Sequence, residues 1–270
     1  MDVRVTSDAA AFERTVFPFL QADPVLHTII MTNVHQRAIG PSEQEPGYYV
    51  SVHEGDVVGA AMRTPGRPVY LGALRSEYAE AVADAYLDVL PELGGVAGDR
   101  PAVERFADRW CARRDVRAIE TKATRLHKLG TLTPLSAPGS ARLMRDGDVD
   151  LVAGWARDGF PEELGDVEWA EEQLASGSMW IWEVDAEPVS MAGYHLPVYG
   201  ACRVGPVYTP PEHRRRGYAG ALTSHVTAHI LAAGNQACLY TDLANPTSNR
   251  IYHQAGYRPV ADFVDLQFTA

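Results

Sequence analysis

Two stretches of the chain place apolar segments on either side of a short polar turn in the same way. GYYVSVHEGDVVGAAMRTP (Gly47 to Pro65) and SMWIWEVDAEPVSMAGYHLP (Ser178 to Pro197) each read as an aromatic-rich strand, a short acidic turn, and a second strand. In each, the second strand passes through small residues to a proline, and the strand, turn and strand read as a hairpin. A helical stretch lies before each hairpin. A further short strand and then a helix lie after it, over Ser76 to Leu90 and Gly217 to Ala233. This repeated plan predicts two copies of one α/β fold. Between them, Thr133 to Ser140 (TPLSAPGS) is rich in Pro, Ser, Gly and Ala and reads as a linker. The expected organisation is therefore a first domain over 1–132, a linker over 133–140 and a second domain over 141–270.

The halves differ after their third strand. In the first, PVYLGAL leads on without a glycine-rich basic turn. In the second, the strand Cys202 to Tyr208 (CRVGPVY) is stopped by Pro210 and Pro211, because proline lacks the N–H that a central ladder needs. Arg214, Arg215, Arg216 and Gly217 follow, and then a helix whose Leu222, Val226 and Ile230 form one apolar stripe, with Gly234 as its stop. The arginines thus stand at a helix N-terminus, where the first N–H groups have no intrahelical partner and the dipole favours an anion. Small residues at Gly217, Ala219 and Gly220 would let a phosphate approach the backbone. Neither GxxxxGK[ST] nor GxGxxG is present, so the loop is not that of a P-loop or dinucleotide protein.

A second motif follows. ACLYT (Ala237 to Thr241) reads as a strand, Asn245-Pro246 as a cap with proline in the first helical turn, and Gly256 as the stop of a short helix. Ile251, Tyr252 and Ala255 share the inner face of that helix.

Composition narrows the partners. The chain has 270 residues, 46% of them hydrophobic, enough to bury a substantial core. Its formal charge of −11 argues against a nucleic-acid partner. Three separated cysteines give neither a disulfide framework nor a zinc site. His225 and His229 lack a third ligand, so no metal is expected. Neither a signal peptide nor a membrane span is legible, and a cytoplasmic protein without a membrane partner is expected, as monomer or homodimer. The aromatic residues Trp155, Phe160, Trp180 and Trp182 serve either as core or as walls of a ligand pocket. The acidic stretch Pro161 to Leu174 reads as a solvated face.

Together the two motifs resemble the GNAT superfamily of acyl-CoA-dependent N-acyltransferases. The family loop [QR]xxGx[GA] is matched by Arg214, Gly217 and Ala219, and the later pattern by Asn245, Tyr252, Gly256 and Tyr257. The resemblance covers about Ala141 to Phe268, and the first half is similar to the same fold without its cofactor loop. It implies two GNAT-like domains in tandem, each a twisted, mostly antiparallel sheet flanked by helices. It further implies acetyl-CoA as co-substrate and an amine-bearing acceptor, either a small molecule or a peptide or protein amine, whose site the acidic stretch Pro161 to Leu174 would border. The pyrophosphate would rest on the loop from Arg214 through Gly220, Tyr218 included. Val207, Tyr208 and Thr209 would pair with the pantetheine arm, Asn245 would help to hold it, and Tyr252 would act as general acid. Many members carry a glutamate on the strand before the loop, but here Gly205 stands at about that place. Glu183, His195 and Asp242 are the remaining candidates for the base, beside a water relay or an acceptor that arrives neutral. The missing glutamate also leaves open a non-catalytic acyl-CoA-binding or sensing module.

Overall fold

The computed structural model describes residues 1–40, 45–160 and 166–270. It divides into two compact units. One comprises 1–126, 241–244 and 260–270, the other 127–240 and 245–259.

The first unit begins β1 (Asp2–Thr6), α1 (Ala9–Leu20), α2 (Thr28–Ile39), β2 (Tyr48–Glu54), β3 (Asp56–Arg63) and β4 (Val69–Gly72). A 3-10 turn, Ser76–Tyr78, leads into α3 (Ala79–Val89), and β5 (Gly95–Asp99), α4 (Arg100–Arg114) and β6 (Arg117–Leu129) follow. The Asp8 carboxylate starts α1 by accepting from the Ala11 N–H at 2.9 Å. β1, β2, β3 and β4 pair antiparallel in that order, and β4 pairs parallel with β5. Val50, Val52, Leu71, Val82, Tyr86 and Phe106 are buried together. Trp110 stacks on Phe106 with ring centroids 6.2 Å apart, and on Phe268 at 6.1 Å.

The second unit repeats the order: β7 (Ser140–Leu143), a 3-10 turn, α5 (Val149–Gly159), α6 (Val167–Ser176), β8 (Met179–Val184), β9 (Glu187–Tyr194) and β10 (Ala201–Tyr208). A further 3-10 turn, Pro211–His213, precedes α7 (Tyr218–Ala232), β11 (Gln236–Asp242), α8 (Pro246–Ala255) and β12 (Tyr257–Thr269). β7 through β10 pair antiparallel in sequence, and β10 pairs parallel with β11. One core, with Leu222, Val226, Ile230 and Tyr257, lies under α7. Another, with Met179, Ile181, Met191 and Tyr208, lies under α5 and α6. The fold is thus mixed α/β, with mostly antiparallel pairing and flanking helices.

The boundaries differ from the sequence reading. Residues 133–140 are not a free linker. The Thr133 N–H donates to the Ala255 carbonyl at 3.0 Å, the Leu135 N–H to Ser224 Oγ at 3.0 Å, and Trp182 Nε1–H to the Pro138 carbonyl at 2.9 Å. Leu132, Leu135 and Ala137 pack on the core under α7, so the Pro/Ser composition marks irregular backbone and not a spacer. The second unit starts at His127. Val260–Ala270 belongs to the first, because β12 pairs with β5 from Phe263↔Asp99 to Gln267↔Gly95.

Candidate active site

The site begins with a change of partners along β10. From Ala201↔Gln236 to Val204↔Leu239 the strand is paired with β11, and there the parallel ladder ends. On its other side β10 stays with β9, through an irregularity, to Val207↔Ala192 and Tyr208↔Met191. Among the described residues, Gly205–Tyr208 therefore keeps β9 as its one strand neighbour. Backbone groups in an extended strand alternate sides, so those turned away from β9 in this stretch lack a ladder partner in β11. Such groups need a polar ligand or water. Val207 and Tyr208 lie in this half-paired stretch, and Thr209 follows directly.

The turn after β10 is held from inside the second unit. Ser190 Oγ donates to the Tyr208 carbonyl at 2.9 Å and lies 2.8 Å from Thr209 Oγ1. Arg214 folds back, its Nε–H donating to the Thr209 carbonyl at 2.9 Å and its guanidinium 5.8 Å from the Tyr208 ring centroid. Arg215 has φ 63° and Gly217 φ 87°. A positive φ costs a non-glycine residue on the order of 1 kcal/mol, which places local strain at Arg215. The first helical bond of α7 runs from the Ala221 N–H to the Gly217 carbonyl at 3.0 Å. The N–H groups of Tyr218, Ala219 and Gly220 thus stand at the open helix end, beside the exposed side chains of Arg214, Arg215 and Arg216.

Two small residues of the loop have different reasons to be small. A Cβ on Gly217 would meet only Ala137 Cβ at 3.5 Å and the Ser136 carbonyl at 3.7 Å, so its surroundings are open. A Cβ on Gly220 would lie 3.0 Å from Leu135 Cδ1 and 3.4 Å from Ile251 Cγ2. Gly220 is therefore small because side chains pack against α7 there, a reason the loop pattern did not reveal. The Tyr218 side chain is likewise buried in the core under α7, which leaves its N–H as the group at the helix end.

Asn245 caps α8 as its sequence position suggests, its Oδ1 accepting from the Ser248 N–H at 3.1 Å. Tyr252, further along α8, packs beside α7. Burial pushes its phenol up to about 12, partly opposed by the Thr223 hydroxyl beside it, so it stays protonated at neutral pH. Its ring meets Tyr257 edge-on, centroids 6.2 Å apart.

None of the three carboxylate or imidazole candidates is a free base. Glu183 accepts from Arg142 Nε–H at 2.5 Å, and the same guanidinium holds Asp148 at 2.6 and 2.9 Å. Asp242 Oδ1 accepts from the Ala244 N–H at 2.7 Å and orders that turn, within the 241–244 segment of the first unit. The positive charge of Arg203, together with burial, pulls His195 down to about 3. A group that accepts a proton only near that pH is a weak base toward an ammonium.

Of the aromatic residues, Trp155 and Trp182 are core. Trp180 packs against His225 at 4.5 Å and His229 at 5.4 Å, so this histidine pair lines an aromatic contact. Among the described residues, no three His, Cys, Asp or Glu side chains are grouped to hold a metal ion. Nor is any described helix long and apolar enough to cross a membrane. Pro161 to Gly165, the start of the acidic stretch, lies outside the described residues.

Comparison with known proteins agrees with this geometry. Residues 184–263, from the end of β8 through the opened strand pair, the arginine turn and α8, match the model of the FR47-like protein family. A GNAT-family acetyltransferase from Colwellia psychrerythraea superposes over all of both chains, with TM-score 0.62 at 11% identity. The fold is that of the GNAT superfamily. A GCN5-related N-acetyltransferase from Sphaerobacter thermophilus is similar over 98% of this chain and 94% of its own, with TM-score 0.63 and 16% identity. A tandem GNAT protein from the clavulanic acid biosynthesis pathway is similar over 99% and 98%, with TM-score 0.57 and 12% identity. No curated protein matches the chain in sequence. In this chain the opened strand pair of the fold lies in the second unit.

Proposed function

We propose that the protein is an N-acetyltransferase that moves an acetyl group from acetyl-CoA to a primary amine by direct attack in a ternary complex. The observation that carries this reading is the end of β10–β11 pairing at Val204/Leu239, immediately before a basic turn that opens a helix. An opened parallel pair accepts an extended, amide-bearing arm, and a helix N-terminus with three arginines accepts its diphosphate. The arm of acetyl-CoA would run along Val207, Tyr208 and Thr209. Its diphosphate would meet the N–H groups of Tyr218, Ala219 and Gly220, with Arg215 and Arg216 beside them. Arg214, already bonded to the Thr209 carbonyl, would mainly hold the turn's shape.

In the reaction the amine nitrogen attacks the thioester carbon, the C–S bond breaks, and one N–H proton is lost to solvent. The departing thiolate takes a proton from Tyr252, which is protonated at neutral pH, and the phenolate regains one from water. An unpaired N–H of the half-paired β10 stretch would stabilise the oxyanion. With Glu183, Asp242 and His195 engaged or weakly basic, the acceptor would arrive neutral or lose its proton through water.

The same engagement supports a second reading, a non-catalytic acyl-CoA-binding or sensing module. Calorimetric titration with acetyl-CoA, free CoA and a longer acyl-CoA tests both. Saturable binding is expected, with free thiol released only when amines are added. Binding without thiol release for any amine would select the sensing module, and no binding would end both readings.

A further inference from the structure

Arg203 lies on β10 one residue before the strand pair opens, and neither sequence motif includes it. Its neighbours Cys202 and Val204 pack under α7, so by the alternation of a strand Arg203 projects to the other face. Opposite it, antiparallel, stands His195, whose N–H donates to the Arg203 carbonyl at 2.8 Å. Arg203 is half-buried, and its Nη1 is buried with no hydrogen-bond partner. Among the described residues no carboxylate pairs with it. Two titratable groups within reach of its charge are neutral: His195 is held uncharged, and burial pushes the Cys202 thiol up to about 12. Two positions along the strand, a Cβ on Gly205 would meet nothing within 4 Å. A partly desolvated cation with an orphan N–H thus stands beside open space next to the opened strand pair. Leaving such a charge unmatched is unfavourable, and an anion placed there offsets much of that cost.

We infer that Arg203 binds an anionic group on the acceptor, so that the preferred acceptor is a primary amine that also carries a carboxylate. This rests on the acetyltransferase reading and narrows its substrate class. Guanidinium and carboxylate match as a fork, and Gly205 leaves room for the ligand's backbone beside the thioester. The amine end then points toward the half-paired stretch of β10, where the acyl group would lie.

The test compares the common L-amino acids with their amides, and O-phosphoethanolamine with ethanolamine, on the full-length protein. Direct binding is read by ligand-observed NMR, and transfer by thiol release with acetyl-CoA. A charge-assisted contact contributes about 10- to 100-fold, so acids should exceed their amides by that factor. Arg203→Met should erase the preference and raise the acceptor KM equally, while the acetyl-CoA Kd stays unchanged and reports an intact fold. Arg203→Lys should keep part of the preference. Stronger Arg203-dependent binding of O-phosphoethanolamine would keep the anion site and overturn the carboxylate as its occupant. Amides equal to acids, a preference that survives Arg203→Met, or no binding of any anionic amine would each overturn the proposal. Acetyl-CoA binding without anion preference sinks this inference alone. Anion-selective binding without acetyl-CoA binding sinks the acetyltransferase reading alone.

Discussion

The two units run through the same elements in the same order and diverge at one place. In the first, β4 stays paired with β5 to its last residue, Gly72↔Gly98, and a Cβ on Gly98 would lie 2.9 Å from the Gly72 carbonyl. In the second, β10 continues for four residues beyond its last pair with β11. The turns differ accordingly. After β4 the chain closes at once, the Leu74 N–H donating to the Leu71 carbonyl at 3.1 Å and Leu74 and Tyr78 buried. Glu77 and Glu80 then lie at the start of α3, where their charge already complements the helix dipole. After β10 comes a longer basic turn with two left-handed residues. One fold therefore makes either a closed structural unit or an open one. The difference lies in how far one strand stays paired and in the sign of charge at the next helix.

The strongest way to break that comparison is to close the open turn. Gly217→Glu fills the space beside the helix end, adds a carboxylate where a diphosphate would sit, and forces a side chain onto φ 87°. Calorimetry should find acetyl-CoA affinity lowered by more than about 1,000-fold, which is roughly 4 kcal/mol. The matching change in the first unit, Arg75→Glu, should leave that affinity where it was. Equal losses from both substitutions would mean that the two turns do not differ in the way described.

A smaller effect is expected at Tyr252. Tyr252→Phe removes the proton donor but keeps the ring against Tyr257, so kcat should fall about 100-fold with the acetyl-CoA Kd unchanged. Full turnover in the variant, with chemistry rate-limiting, would assign the acid elsewhere. The pH dependence of stability gives an independent check. The folded-state pKa of this phenol is raised to about 12 from 10, so the native state favours its protonated form. That contribution is complete below pH 10 and is lost as pH rises from 10 to 12. Alkaline denaturation curves of the wild type and Tyr252→Phe should converge across that window.

Much of this was legible in the chain itself, wherever the signal was local. The two hairpins, the proline stop after β10, the Asn245 cap and the Gly256 stop follow from residue chemistry within a few positions. The loop at Gly217 was legible for the same reason. What escaped depends on partners far away in sequence. The Glu183 carboxylate looked free until Arg142, 41 positions earlier, is seen to hold it. Gly220 resembled a phosphate-loop glycine because nothing nearby in sequence announces Leu135 and Ile251 against it. The Thr133–Ser140 stretch has the composition of a spacer, yet its few apolar side chains and two backbone N–H groups tie it to α7 and α8. Arg203 passed as an ordinary strand residue, since only the structure reveals that no acid among the described residues pairs with it.

The smallest effect separates two roles at one residue. α8 begins at Asn245, whose Oδ1 caps the Ser248 N–H, whereas the corresponding α4 begins at Asp99 with no side-chain cap bond. Asn245 has a second polar end, the Nδ2–H group, which the cap does not use. Asn245→Ala should lower stability by about 1 kcal/mol, the usual loss of an N-cap, and weaken acetyl-CoA binding as well. Asn245→Asp keeps the accepting oxygen and removes the donor, so the melting temperature should hold while acetyl-CoA affinity drops. Were the aspartate variant to match the wild type in both measurements, Asn245 would be a cap and nothing more. The cofactor arm would then be held by β10 alone, and the contrast between the units would reduce to the strand and the turn that follows it.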